Sequence, residues 1–412
     1  MSNPQPLQPE GVMHGLVPRD RWEHDLNDLC QGLYAAAGPR EQNSVLQLAE
    51  LGACVPVRSG RAGLVAAIRA LNLPNNARIG VPLYCCPIVF QAIVLAGCCV
   101  RFIDIDPETF CLSAGDLSTK IADLDAVVAV HLFGNLCDIP GLRNAAPGKP
   151  VIEDCAQALG SRLHGRMAGS FGDVAFFSFR SGKYLSAGEG GALFSSDAIL
   201  FSRLSAIAAD LQVPGPADEW AHALMVYLKS LLRSRPLYGI VGHGLWKFLN
   251  SNRQVSDRAA VILSQIYATD LSVIRRRLSY LDAAIREQRA IAEYYDRTLD
   301  LAAGMLYTEK PEACSNRYHY PVTFATEEHR DRMAEHLLRQ RIDTMKYLDD
   351  VVSVARTQYG YAGDCPIAEQ RSKRVLVIPS YYGLKHTDIQ HIARAVNAGW
   401  AEIAANRTGT HA

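Results

Sequence analysis

The chain has 412 residues, 49% of them hydrophobic, so it is long enough to bury a large core and to form two domains. Lysine plus arginine and aspartate plus glutamate each number 42, and this balanced charge gives no general electrostatic reason to expect nucleic-acid binding. Eleven cysteines occur without a Cys-x-x-Cys pair or zinc-type spacing. The count therefore favours reduced core thiols in a cytoplasmic protein and predicts no metal site.

The first residues predict an arm followed by an α/β domain. Residues 1–20 contain prolines and polar side chains without the apolar segment of a signal peptide, and we expect them to form a flexible arm. Apolar residues at helical spacing predict a helix directly after the turn at Gly60: Leu64, Ala67, Ile68 and Leu71. Strand-like runs that alternate with helices then predict a mostly parallel sheet covered on both faces: 79–81, 100–105, 126–130, 151–153, 174–179 and 192–194.

The second half of the chain predicts a long helix and a smaller domain. One apolar stripe runs through residues 271–299 and predicts a single helix: Leu271, Ile274, Leu278, Leu281 and Ile285. The remainder, which contains the strand-like run 318–324 and apolar helical patterns near 333–337 and 389–396, is typical of a small α+β domain. No Gly-x-Gly-x-x-Gly follows a strand, so a dinucleotide site is not expected.

Lys183 lies in a short turn between the strand-like runs 174–179 and 192–194. Ser178 precedes it by five residues, and the glycine-rich stretch 188–191 that follows would let a bulky ligand approach the backbone. A lysine attacks carbonyl groups only when neutral, and burial in such a loop lowers its pKa toward that state. The alternative is a surface turn with a solvated lysine.

Asp154 ends the buried run that begins at residue 151, about thirty residues before Lys183. Open α/β sheets bind ligands at the carboxyl ends of their strands, where Asp154 would lie. A lysine and a carboxylate in this arrangement suit pyridoxal phosphate (PLP): the lysine bonds to the aldehyde, and the carboxylate keeps the pyridine nitrogen protonated. The alternative for Asp154 is a helix N-cap.

Eight short motifs make the interpretation more specific. They occur in the order Gly-Arg-Ala-Gly-Leu at 60–64, Val-Pro-Leu-Tyr at 81–84, Phe-Ile-Asp-Ile-Asp-Pro-Glu-Thr-Phe at 102–110, His-Leu-Phe-Gly at 131–134, Ile-Glu-Asp-Cys-Ala-Gln-Ala at 152–158, Gly-Ser-Phe-Gly-Asp at 169–173, Cys-Pro-Ile-Ala-Glu at 365–369 and Ile-Pro-Ser at 378–380. This ordered set resembles the DegT/StrS-type sugar aminotransferase family, closely over residues 45–210 and more loosely over 262–400. Members of that family are PLP enzymes with the aspartate aminotransferase-like type I fold.

The resemblance implies a domain organisation. A large PLP-binding domain would span 21–285, with a mostly parallel seven-stranded type of sheet between helices, and a small α+β domain would span 286–405. The resemblance also implies roles around the cofactor. Lys183 would hold the cofactor covalently and act as the catalytic base, and five further residues would bind the cofactor: Gly60, Arg61, Asp154, Gln157 and Ser178.

Those roles divide by the part of the cofactor that each residue would contact. Asp154 would pair with the pyridine nitrogen, and Gln157 would lie near the phenolic oxygen. Ser178 and the backbone at Gly60 would hold the phosphate, with help from the amides that open the next helix. Arg61 stands where the family usually has threonine; its guanidinium would grip the phosphate by charge, or else form an ordinary salt bridge.

Two further positions depart from the family pattern. Cys86 stands where an aromatic ring usually covers the cofactor face; either Tyr84 substitutes from a shifted loop, or the ring packs on a thiol. Leu263 stands where the family sends an asparagine from the neighbouring subunit to the phosphate. Asn250 or Asn252 would replace that contact, or Arg61 makes it unnecessary. The resemblance implies a homodimer.

Other polar residues have weaker motif context. His131 matches a family histidine that borders the site, although a core or capping role explains it equally well. Lys346 and Tyr347 stand where the family often shows a His-Tyr pair near the substrate. His319 has no motif context, and we expect a structural or surface role.

Residues 213–256 form an insertion that is longer and more helical than the family's usual connection. Neither apolar half reaches the ~20 residues needed to span a bilayer. Its aromatic and basic residues would suit a helix lying at a membrane surface within 217–250. We favour a helical arm that packs on the active site or on a partner subunit.

The sequence therefore predicts a PLP-dependent aminotransferase. Its amino donor would be an amino acid, glutamate or glutamine, and its acceptor a keto sugar, in particular a nucleotide-linked one. An aminocyclitol precursor or another ketone is the alternative acceptor. A PLP-dependent sugar dehydratase is a further alternative, but such relatives carry histidine at the position of Lys183. The last alternative is a regulatory protein that keeps the fold of the family but has no catalytic activity.

Overall fold

A large sheet carries the candidate site. The computed structural model describes residues 15–39, 45–235, 237–245, 261–307 and 309–408 of the chain. Within these residues the strands are β1 (Leu46–Leu48), β2 (Gly52–Val57), β3 (Arg78–Pro82), β4 (Cys99–Ile103), β5 (Ala126–Val130), β6 (Val151–Asp154), β7 (Arg162–Leu163), β8 (Arg166–Met167), β9 (Val174–Ser178), β10 (Gly191–Phe194), β11 (Ala313–Cys314), β12 (Tyr320–Thr323), β13 (Met345–Lys346) and β14 (Val375–Ile378).

The helices cover the sheet and build the C-terminal part. They are α1 (Leu26–Ala37), α2 (Gly60–Ala70), α3 (Pro87–Leu95), α4 (Ala114–Lys120), α5 (Ile139–Ala145), α6 (Ala198–Ala209), α7 (Pro216–Arg233), α8 (Ala268–Leu278), α9 (Leu281–Thr298), α10 (Glu327–Arg339), α11 (Val351–Tyr359), α12 (Pro366–Arg374) and α13 (His386–Thr408).

The large sheet has the strand order β1-β2-β10-β9-β6-β5-β3-β4. Strands β9, β6, β5, β3 and β4 pair in parallel, whereas β10 runs antiparallel to both β9 and β2. All five residues of β5 are buried, as expected for a parallel strand covered on both faces. Without β1, which adds a short antiparallel edge, the sheet has seven strands. They confirm the predicted mostly parallel sheet.

Helix α2 starts where the sequence predicts it. Ser59 is its N-cap and accepts a hydrogen bond from the Ala62 amide at 3.2 Å. Leu64 and Ile68 are buried against the sheet, and Gly63 lets the helix approach closely, since a Cβ there would lie 3.4 Å from the Phe176 Cβ. The N-terminus of α2 is thereby fixed beside the carboxyl ends of the strands.

The predicted single helix over 271–299 is wrong in one respect, because the structure divides it into α8 and α9. Tyr280 has φ −118° and ψ 12°, which interrupts the helix. Arg277, in the last turn of α8, is fully buried and donates to Asp28 at 2.5 Å, so α8 is anchored to α1. The apolar stripe continues across the break, where Leu281 remains buried.

A second, antiparallel sheet of order β12-β14-β13 lies in the C-terminal part. Its core contains Val322 together with Leu337 of α10 and Ile392 of α13. Val17 joins this core: its N–H donates to the Arg341 carbonyl at 2.8 Å, and its carbonyl accepts from the Asp343 N–H at 3.0 Å. The end of the predicted arm is therefore packed, while residues 1–14 lie outside the described part of the chain.

Three further observations bear on the sequence predictions. All eleven cysteines are free, and seven of them are buried. Across the part of the chain that the structure describes, no helix has both the length and the apolar character needed to cross a bilayer. The insertion contains α7 and a π-helical turn, Tyr238–Gly242, and residues 246–260 lie outside the described residues.

Candidate active site

The turn that carries Lys183 lies between β9 and β10 and is held from several sides. The Lys183 N–H donates to the Arg180 carbonyl at 2.9 Å, and Gly182 adopts φ 88°, a conformation that favours glycine. The Tyr318 hydroxyl donates to the Gly182 carbonyl at 2.5 Å. Lys183 Nζ lies 5.2 Å from the centroid of the Tyr318 ring. The turn is thus pinned by the small C-terminal sheet region.

The pKa of Lys183 is lowered to about 8. Burial is the largest cause and the positive charge of Arg180 the second, while Asp154 and Cys86 act in the opposite direction. At pH 7 about a tenth of such an amine is neutral, against roughly one in three thousand for an unperturbed lysine. The surroundings therefore prepare this side chain as a nucleophile and base.

Asp154 lies at the end of β6 and is buried. Its Oδ1 accepts a hydrogen bond from the Ala156 N–H at 2.9 Å. Burial raises its pKa, and Lys183 is among the charges that counteract this. A cationic partner, such as a protonated ring nitrogen, would compensate the buried carboxylate.

Close backbone packing brings the start of α2 against the end of β9. A Cβ on Gly60 would lie 2.9 Å from the Ser178 Cβ, and one on Gly191 would lie 2.7 Å from the Ser59 carbonyl carbon. Arg61, in the first turn of α2, is partly buried; burial lowers its pKa, and Arg180 adds to that effect. The first turn of α2 and Ser178 thus lie together, and a helix N-terminus beside a hydroxyl is an arrangement that suits a phosphate.

Gln157 forms part of an aromatic wall. Its Oε1 accepts from the Phe133 N–H at 2.8 Å, and its Nε2 donates to the Tyr347 hydroxyl at 2.5 Å. Tyr84 is fully buried and donates its hydroxyl to the Tyr347 carbonyl at 2.9 Å, so it supports Tyr347. Cys86 is partly exposed and influences the pKa of Lys183. The packing of a cofactor ring on this thiol stays a prediction.

His131 has a structural position. Its Nδ1 accepts from the Cys137 N–H at 3.0 Å, so Nε2 carries the proton and donates to Glu153 at 2.9 Å. His131 and Glu153 form, with Cys155, the one group of three potential metal ligands within the described residues. The Glu153 oxygens already accept from three backbone amides: Gly169, Phe171 and Gly172. Because the Glu153 oxygens already have these hydrogen-bond donors, the pair supports a structural role for His131 in the core.

A small cleft of about 30 Å³ lies at the lysine turn. Three parts of the chain line it: the segment Arg19 to Arg21, the turn with Lys183, and the C-terminal residues Tyr318, His319 and Ser380 to Tyr382. Burial, and then the charge of Lys183, lowers the pKa of His319 to about 3, so its imidazole is neutral. The Ser380 hydroxyl is buried and has no hydrogen-bond partner among the described residues. In the sequence His319 has no motif context and Ser380 occurs only within the Ile-Pro-Ser motif, since the fold alone brings them to Lys183.

Two other predicted positions lie farther from the chemistry. Lys346 Nζ forms an ion pair with Asp331 at 2.9 Å, whereas the adjacent Tyr347 reaches Gln157. Leu263 packs against the core of the large sheet. Asn250 and Asn252, its possible replacements, lie outside the described residues.

A lysine of lowered pKa, a buried carboxylate at a strand end and a helix N-terminus packed beside a serine, all on a mostly parallel sheet, are typical of a PLP-dependent aminotransferase. The model of the DegT/DnrJ/EryC1/StrS aminotransferase family matches residues 36–397. The chain belongs to this family, whose members depend on PLP.

Relatives and solved structures agree with this membership. GDP-perosamine synthase of Escherichia coli O157:H7 is 26% identical over 349 residues, 84% of this chain and 85% of that protein. L-glutamine:2-deoxy-scyllo-inosose aminotransferase of Micromonospora echinospora is 31% identical over 262 residues, 60% of this chain and 59% of that protein. The crystal structure of the aminotransferase TlmJ from Streptoalloteichus hindustanus covers 94% of this chain and all of its own, with a TM-score of 0.73 and 23% identity.

Proposed function

We propose that this aminotransferase binds PLP through Lys183 and moves an amino group from glutamate or glutamine to a nucleotide-linked keto sugar. The observation that carries the proposal is Lys183 itself, with a pKa lowered to about 8 at the base of a cleft. When bound, PLP supplies an electron sink that stabilises negative charge on the substrate carbon.

The described residues fit this cofactor. Gly60 packs so closely on β9 that a Cβ there would lie 2.9 Å from the Ser178 Cβ, and Arg61 is the next residue in the first turn of α2. These residues would bind the phosphate, while Asp154 would face the pyridine nitrogen and favour its protonated form. Gln157, fixed by the Phe133 N–H, would lie near the phenolic oxygen.

Lys183 would also move the proton. A pKa near the working pH lets one amine accept a proton from the substrate carbon and return it elsewhere. Tyr318 holds the Gly182 carbonyl next to it and thereby fixes the amine within the cleft. The neutral His319 beside it adds a hydrogen-bonding group without a competing positive charge.

Two features support the acceptor class. The relative named for a GDP-linked sugar aligns over 84% of the chain, whereas the cyclitol aminotransferase aligns over 60%. Arg19 and Arg21 line the cleft. Their guanidinium groups would favour an acceptor that carries phosphate. A keto cyclitol remains the second candidate because the relative that acts on one has the higher identity, 31%.

Half-reactions test the proposal. Protein loaded with PLP should lose its yellow colour on addition of L-glutamate or L-glutamine and regain it with the correct acceptor. Nucleotide-linked keto sugars should restore the colour at lower concentration than keto cyclitols, and Arg21→Gln should raise the KM of the former alone. Wild type that never takes up PLP, or Lys183→Ala that still transaminates, would refute the assignment.

A further inference from the structure

Ser380 places a hydroxyl without a partner at the small cleft beside Lys183. The residue follows β14 in the chain, is 4% exposed and lines the cleft. Its Oγ is buried and has no hydrogen-bond partner among the described residues. A buried hydroxyl in this condition lowers the stability of the fold, because water can no longer hydrogen-bond to it. Its position is explained by a ligand that binds there and supplies the missing partner.

Neighbouring hydroxyls of the cleft wall already have partners within the chain. The Tyr318 hydroxyl donates to the Gly182 carbonyl at 2.5 Å. The Ser186 Oγ accepts a hydrogen bond from the Gly182 N–H at 3.2 Å. These two groups hold the lysine turn, whereas the Ser380 hydroxyl holds nothing among the described residues and is available to a ligand.

Arg19 adds a second buried donor to the same cleft. It lines the cleft, and its Nε forms no hydrogen bond among the described residues. An oxygen of Asp343 lies 3.7 Å from this Nε, too far for a hydrogen bond, and attracts the guanidinium by charge. Val17, two residues earlier, is hydrogen-bonded through both its N–H and its carbonyl, so the segment that carries Arg19 is fixed. A guanidinium and a hydroxyl at one cleft form a donor set that suits a carboxylate.

The volume of the cleft limits the group that it accepts. A volume of about 30 Å³ has room for roughly two or three water-sized groups, the size of a carboxylate. Pockets that enclose a whole drug-sized ligand measure roughly 300–1,000 Å³. The nucleotide of a sugar acceptor is too large for this cleft, whereas the carboxylate of an amino acid fits it.

We propose that Ser380 and Arg19 bind the α-carboxylate of the amino donor, the Ser380 hydroxyl and the Arg19 guanidinium each donating to it. A carboxylate in this cleft places the amino group, one carbon away, at Lys183, which lines the same cleft. The inference rests on the proposed function, since it requires an amino acid as donor. The two substrates use the site in turn, so the role of Arg21 toward the acceptor is unaffected.

Ser380→Ala tests the contribution of the hydroxyl. The PLP-loaded variant should require about 10- to 100-fold more L-glutamate for half-maximal loss of colour, because a hydrogen bond to a charged group is lost. The limiting rate should equal that of wild type, since the hydroxyl does not touch the reacting atoms. Calorimetric titration with glutarate, a dicarboxylate without an amino group, should show the same weakening. Ser380→Thr should recover part of the affinity, and Ser353→Ala, exposed on α11, should match wild type.

Stability separates this role from a structural one. Because the Ser380 hydroxyl has no partner among the described residues, Ser380→Ala should unfold at the same denaturant concentration as wild type or at a higher one. Earlier unfolding, or half-maximal colour loss at the wild-type concentration of L-glutamate, would overturn the inference and leave the proposed function intact. A weakening seen only for the keto sugar would assign Ser380 to the acceptor and also overturn it. Wild type that no amino acid decolourises would refute the proposed function, and this inference with it.

Discussion

The lysine turn and helix α7 break the ordinary burial rule in opposite directions. Around Lys183, charged groups are taken out of water. Burial lowers the pKa of Lys183 and raises that of Asp154, and both shifts favour the neutral form. On α7, large apolar residues are left in water while Glu219 and Arg233 are buried. In each region the unfavourable placement is held by hydrogen bonds and ion pairs to other elements.

The comparison shows what each kind of exception indicates. A buried amine gains reactivity, because desolvation raises its neutral fraction. An exposed apolar face gains nothing chemically, and it becomes favourable only when another surface covers it. Changes near Lys183 should therefore alter the chemistry, and changes on α7 should leave the chemistry unaltered.

The largest effect is expected from a substitution at Asp154 that removes the charge of the side chain and keeps its shape. Asp154→Asn keeps the size of the side chain but removes the negative charge that would hold the pyridine nitrogen protonated. We expect kcat to fall by on the order of 10²–10⁴, the usual contribution of a proton-controlling group. Stopped-flow half-reactions would measure it, with Asp210→Asn, exposed at the end of α6, as the control. An Asp154→Asn protein of normal rate would remove Asp154 from the site.

A smaller effect should follow at the phosphate end. Arg61→Gln removes a charge-assisted hydrogen bond of about 1.5–3 kcal/mol, which corresponds to roughly 10- to 100-fold weaker PLP binding. Arg61→Thr, the residue that the family usually has there, should recover part of the affinity. Absorbance titration of the apo-protein measures both, and Arg69→Gln, exposed on the same helix, should bind PLP normally. Unchanged affinity in Arg61→Gln would assign Arg61 to an ordinary salt bridge.

The pH dependence of cofactor capture should be about tenfold between pH 7 and its plateau. The neutral amine of Lys183 reacts, and its fraction rises with pH, so the rate should increase and level off above about 8. Arg180→Gln removes a positive neighbour that lowers this pKa, and it should move the midpoint upward. Rapid-mixing absorbance gives the profile. A midpoint near 10.5, the usual lysine value, would show that the turn is solvated.

The smallest effect belongs to α7 and concerns stability alone. Glu219→Ala removes the cap of α8 and should lower the free energy of unfolding by about 1–2 kcal/mol. Its PLP affinity should equal that of wild type. Denaturant unfolding measures the change, and Glu335→Ala, exposed on α10, serves as the control. Loss of PLP binding by Glu219→Ala with the fold intact would contradict the separation of the two regions.

Local patterns predicted the sheet well. The run 126–130 became β5 with the same bounds, and the apolar spacing after Gly60 became α2. These elements form from short-range periodicity, and their burial follows from the parallel sheet. The break between α8 and α9 was not predictable in this way, because the apolar stripe continues across Tyr280 to the buried Leu281.

The candidate site divides in the same manner. Lys183 and Asp154 are adjacent to strand ends, so their convergence follows from the predicted topology. Arg21, His319 and Ser380 come from segments far apart in sequence, and the fold brings them to the cleft. For α7, the apolar stripe predicts an amphipathic helix equally well in either orientation, and inward contacts such as Glu219 with Ala268 decide which side is exposed.

The most direct test of the central claim is to locate the cofactor on the chain. Borohydride reduction of the PLP-loaded protein, followed by proteolysis and mass spectrometry, should place the reduced pyridoxyl group on Lys183, with no such label in Lys183→Ala. A label on another lysine, or no label on wild type saturated with PLP, would contradict the account.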